Sequence, residues 1–128
     1  MSKDTGFSIS SAERYSLALF ELSEENNLLK QIEEQSLSVL NLIDQSKDFF
    51  YLIKDPTTSH EDLSKVINTI AENNRFENLF RNFLNFLIQK RRFFFIERIL
   101  KSFIEICSKK RGELTAKLKS AKELSNDE

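Results

Sequence analysis

Apolar residues recur along most of this chain at intervals of three and four, the spacing that puts side chains on one face of an α-helix. The first such stretch, Ser11 to Glu25, carries Ala12, Tyr15, Ala18, Leu19, Phe20 and Leu22. Ser10-Ser11-Ala12-Glu13 before it fits a capping box, in which a serine hydroxyl and a glutamate three residues on satisfy the free amides of a helix start. Asn26-Asn27 interrupts the pattern, and Leu28, Leu29, Ile32, Leu37, Leu40 and Ile43 predict a second helix to about Asp44. Ser46 is placed to cap a short third helix, Lys47 to Ile53, which Asp55-Pro56 stops. Thr58-Ser59-His60-Glu61 reads as another capping box, opening a fourth helix through Leu63, Val66, Ile67, Ile70 and Ala71 that ends at Asn73-Asn74. A fifth follows from Arg75 to Lys90 and a sixth from Arg92 to Lys110. Lys109-Lys110-Arg111-Gly112 supplies the cations and glycine that suit a helix C-terminus.

The first and fifth helices are unusual in the width of their apolar faces. Ala12, Tyr15, Ala18, Leu19, Phe20 and Leu22 fan over roughly 200°, where a surface helix buries a stripe of about 100°. In the fifth, Phe76, Leu79, Phe80, Phe83, Leu84, Phe86, Leu87 and Ile88 cover a similar arc. Two readings compete: a surplus flank left to bind a partner, or two central helices buried on most sides.

After Gly112 the period changes to two, with Leu114, Ala116, Leu118 and Ser120 alternating against Glu113, Thr115, Lys117 and Lys119. This predicts one amphipathic strand or extended tail. Leu124-Ser125-Asn126-Asp127-Glu128 then presents a further capping box at the end of the sequence. A lone strand has nothing to pair with, so the expectation is a shortened form of a longer protein: a helical domain over 1–111 and the beginning of a second domain over 112–128.

Composition narrows the class. The 128 residues contain two glycines and one proline, so tight turns are few and an all-α body is favoured. The net charge of −1, with both signs interspersed, supplies no field to gather nucleic acid or an anionic membrane. No window approaches the ~18 consecutive apolar residues of a membrane span, and no signal or transit segment opens the chain; a soluble protein kept in a bacterial-type cytoplasm is expected.

Taken in order, these elements resemble a known family. The spacing of Ala12, Tyr15, Ala18, Phe20 and Leu22 resembles the first helix of the delta subunit of F-type ATP synthases, the oligomycin-sensitivity-conferring protein of mitochondria. Asn82 to Leu87 with Arg91-Arg92-Phe93 is similar to that family's fifth helix and its exit, with Phe93 in place of the common leucine. Gly112, Ala116, Ser120, Ala121 and Leu124 extend the likeness to the end of the chain.

The resemblance implies a six-helix bundle whose first and fifth helices form a groove for the N-terminal helix of an alpha subunit. It also implies a C-terminal domain that reaches the b-subunit stalk. The whole would be a non-catalytic stator linker at the cytoplasmic face of the bacterial inner membrane. Position by position, the groove falls on Tyr15, Ala18, Phe83 and Phe86, and helical geometry adds Leu22 and Leu79. The alternative is a generic helical adaptor for another amphipathic helix.

Other chemistry finds little support. Lys90-Arg91-Arg92 followed by Phe93-Phe94-Phe95 has the elements of a single-strand nucleic-acid patch, but the phenylalanines fit the core-facing start of the sixth helix and no basic excess accompanies them. His60 is the single histidine and Cys107 the single cysteine, so no metal or cofactor is expected from ligand spacing. Cys107, at helical spacing from Phe103 and Leu100, reads as a core thiol. The acidic pairs Glu24-Glu25, Glu33-Glu34 and Asp127-Glu128 suit solvated surfaces, and no phosphate-binding glycine loop is present. An enzyme is not expected.

Overall fold

The computed structural model describes the backbone of residues 9–127 and the side chains of residues 11–112. Its elements are α1 (Ile9–Glu25), α2 (Leu29–Gln45), α3 (Lys47–Lys54), α4 (His60–Asn73), α5 (Asn78–Gln89), a 3-10 turn (Phe93–Phe95) and α6 (Ile96–Asp127). The architecture is all-α, with six helices in the predicted order.

α6 forms the centre. Ile96, Ile99, Leu100 and Phe103 on its inner face are fully buried, and both α1 and α2 pack along it, while α4 lies against α5. Small residues let α1 come close: Ser16 and Ser23 are fully buried. The Ser16 hydroxyl sits 2.7 Å from the Ala12 carbonyl and 2.8 Å from that of Ile99 on α6, so its one proton is shared between its own helix and the neighbour. Ser23 donates back to the Leu19 carbonyl at 2.7 Å. Their hydroxyls are satisfied within helices, which is how polar residues sit in a core at little cost.

Helix ends show why so few glycines suffice. Asn27, Arg75 and Arg91 have φ of 56°, 54° and 60°. Each follows a helix and is bracketed by a paired closure. Leu28 N–H donates to the Ser23 carbonyl at 2.8 Å and Asn27 N–H to Glu24 at 3.1 Å, and the same pattern recurs at Phe76 and Arg75 and at Arg92 and Arg91. These are left-handed caps of the kind glycine usually makes. At α3 the Ser46 hydroxyl accepts from Phe49 N–H at 3.1 Å, as predicted. α5 lacks a cap from its own Glu77 side chain; instead Gln35 of α2 reaches across and its Oε1 accepts the Glu77 N–H at 3.0 Å.

Several expectations are corrected. The predicted strand after Gly112 is helical: α6 continues to Asp127, and Ser125 lies inside it rather than capping a new helix. Leu114 and Leu118 are also four apart, and Glu, Lys, Leu and Ala dominate the segment, so helix propensity outweighs a short alternation. Gly112 does not stop the helix. The cap of α4 is Ser59, whose hydroxyl accepts from Asp62 N–H at 3.1 Å, one residue later than read; Thr58 instead donates to the Leu52 carbonyl. Ser10 lies within α1, which starts at Ile9. Finally, the Phe93-Phe94-Phe95 run is a 3-10 turn ahead of α6 rather than its first turn.

Candidate docking face on helices 1 and 5

α1 and α5 are neighbours that touch sparingly. The contact that joins them is aromatic: the rings of Tyr15 and Phe86 lie 6.3 Å apart between centroids, tilted by 59°. Tyr15 is half-buried against the core, whereas Phe86 is 42% exposed. Along α1 the same side carries Ala18, which is exposed, and Leu22, which is 43% exposed. Along α5 it carries Phe83 and Leu79. Leu79 is half-buried against the core, and Phe83 is sunk to 7% exposure. Of the six predicted residues, then, the structure joins Tyr15 and Phe86 directly. It leaves Ala18 and Leu22 open beside them and makes Phe83 and Leu79 part of the floor.

The face is apolar at its centre, with a cation at one end. Lys90, just past α5, holds its ammonium 5.7 Å from the Phe86 ring centroid, within reach of a cation–π attraction. Ala18 leaves room for close approach between Leu22 and Tyr15, as a guest helix requires. Two concavities lie away from this face. One of about 570 Å³ is bounded by Ala12, Lys54, Phe94, Arg98 and Lys101, and one of about 540 Å³ by Pro56, His60, Arg91 and Phe93. A shallow apolar face suits an elongated partner better than a small molecule.

Reading the sequence missed two neighbourhoods. Lys54 donates to the Phe94 carbonyl at 3.1 Å and lies 4.3 Å from the Phe94 ring and 5.9 Å from that of Phe50, so the aromatic run carries a cation from its own chain. On α5, Arg81 and Asn85 bond to α4 through Asn68. Polar residues at four-residue spacing on two helices were the available signal.

Cys107 is buried, and burial first, then the charge of Glu33, pushes its thiol up to about 12. Such a thiol stays protonated and is a poor nucleophile. Among the described residues no group of histidine, cysteine and carboxylate side chains could hold a metal ion. No helix among them is long and apolar enough to cross a membrane.

Fold and face together define an all-α bundle with a partly exposed apolar face on two of its helices. A family model described as the ATP synthase delta (OSCP) subunit matches residues 12–128. The chain belongs to that family, whose members are structural rather than catalytic subunits of ATP synthase. It is similar to ATP synthase subunit delta of Pelagibacter ubique (strain HTCC1062), with 55% identity over 128 residues, all of this chain and 69% of that protein. With the subunit delta of Rhodospirillum rubrum it shares 34% over 115 residues, covering 90% of this chain and 62% of the relative. The chain thus spans about two thirds of the length of these relatives. Among solved structures, a chain of the Toxoplasma gondii mitochondrial ATP synthase hexamer superposes with a TM-score of 0.69 at 25% identity, over 72% of this chain and 51% of that one.

Proposed function

We propose that this chain is the head-binding part of a peripheral-stalk subunit, and that the α1/α5 face receives the amphipathic N-terminal helix of an alpha subunit. The supporting observation is the Tyr15–Phe86 pair, a half-buried ring holding an exposed one at the junction of two helices whose apolar arcs exceed what the bundle covers. Tyr15, Ala18, Leu22 and Phe86 contact the guest, while Phe83 and Leu79 support them from below. The remaining third of a full-length subunit carries the link to the b-subunit stalk, at the cytoplasmic face of the membrane. In this role the chain holds the catalytic head against rotation and performs no chemistry itself.

Amide chemical-shift mapping tests this reading. Adding a peptide of the alpha-subunit N-terminus to the labelled chain shifts resonances of α1 and α5 and spares α2 and α3. Shifts centred on Phe50, Tyr51 and Phe94 instead would move the docking surface to another face.

A further inference from the structure

The over-wide apolar arc of α5 raises a question that burial alone does not answer. Phe80, Phe83, Leu84, Leu87 and Ile88 are buried. Turning the helix by roughly 70° about its axis would bury Leu79, Phe80, Phe83, Phe86 and Leu87 instead, a set at least as apolar. The hydrophobic effect is non-directional and discriminates weakly between the two. Yet only the first rotation leaves Phe86 outward.

A directional set of bonds distinguishes them. Ser64 and Asn68 stand four apart on α4, and Arg81 and Asn85 stand four apart on α5. Asn68 Oδ1 accepts from Arg81 Nε at 3.1 Å and from Asn85 Nδ2 at 3.0 Å. The same Asn85 amide donates to the Arg81 carbonyl at 3.0 Å, and its Oδ1 accepts from Ser64 Oγ at 3.2 Å. All of this is partly buried, where such bonds are strong and leaving them unmade is costly. By helical geometry, Arg81 and Asn85 flank the buried arc on the side away from Phe86. The alternative rotation would swing them off α4 and break every bond between the two helices.

We propose that Asn68 and Asn85 are positioning residues for the docking face: their amide ladder selects the rotation of α5 that presents Phe86. The purpose assigned to that rotation rests on the docking proposal above, but the test does not. The chain has no tryptophan, so a Phe86→Trp variant carries one reporter at the face. In this background Asn68→Leu with Asn85→Leu is expected to lower acrylamide quenching by about half or more and to shift emission to the blue, as the population moves to the other rotation. Asn68→Ala, a milder change, is expected to act in the same direction, and Asn68→Asp, which keeps the shared acceptor, to leave quenching at the parent value. Unchanged quenching in a leucine or alanine variant that retains its helical circular dichroism would overturn the proposal. No partner enters the measurement, so its failure leaves the docking reading intact, and a failure of docking leaves this result intact.

Discussion

The ring of Phe86 on α5 rests against the ring of Tyr15 on α1, with one side of the pair in the core and the other in solvent. Three residues earlier on the same helix, Phe83 is buried. Two residues of one type, less than a turn apart, therefore differ in environment: Phe83 belongs to the core and Phe86 is open to solvent.

That division is measurable by denaturant unfolding. Phe83→Ala is expected to cost about 3–5 kcal/mol, the usual loss for a buried phenylalanine. Phe86→Ala forfeits mainly its tilted ring contact with Tyr15, on the order of 0.5–1.5 kcal/mol. A cost for Phe86→Ala as large as that for Phe83→Ala would mean that α5 is rotated.

The left-handed caps offer a second check. Arg75 and Arg91 occupy φ of 54° and 60°, where a side chain is strained and glycine is not. Arg75→Gly or Arg91→Gly should raise stability by about 0.5–1 kcal/mol after the extra backbone entropy of glycine is subtracted. Loss of stability would show that either arginine side chain contributes more than its backbone costs.

Gly112 lies within α6, and an added Cβ there would meet nothing within 4 Å. Gly112→Ala should therefore stabilise the helix by about 0.5–1 kcal/mol and increase helical circular dichroism. Reduced helicity would restore the break that the local sequence suggests.

Much of the fold was legible because its signals are local. The third helix illustrates this: Ser46 before the first turn and Asp55-Pro56 after the last act through adjacent backbone groups, and α3 spans Lys47–Lys54 as the pattern indicates. What stayed hidden depends on neighbours. Ser16 and Ser23 interrupt an apolar pattern yet are fully buried, Ser16 where α1 meets α6 closely enough for its hydroxyl to reach the Ile99 carbonyl. Arg75 and Arg91 take positions that chemistry reserves for glycine, so no glycine marks those helix ends. The segment after Gly112 satisfied two periods at once, and only the continuous backbone decides for helix. At the face, periodicity placed Phe83 and Phe86 on one arc, but that Phe86 stays outward while Phe83 sinks goes with the contacts of α5 to α4, an amide ladder that periodicity does not reveal.

Cys107 provides a pH test. Its thiol is pushed up to about 12 in the folded chain, while an exposed thiol titrates near ~8.5. The folded state thus holds the proton more tightly than the unfolded one. The contribution is fully present below the unfolded value and is lost as pH rises through the interval toward the folded value. Between about pH 9 and 11 the parent chain should lose more stability than Cys107→Ala, measured by the difference in urea midpoints. Parallel curves for the two proteins would show that the thiol is not desolvated.

The central claim is that an alpha-subunit N-terminal helix docks on α1 and α5 around Phe86, and calorimetric titration of that peptide into this chain tests it most directly. One-to-one binding is expected, weakened by roughly 1–3 kcal/mol in Phe86→Ala and abolished in Phe86→Asp with Leu22→Asp, while circular dichroism stays that of the parent. Binding of undiminished affinity to the folded double-aspartate variant would contradict the account.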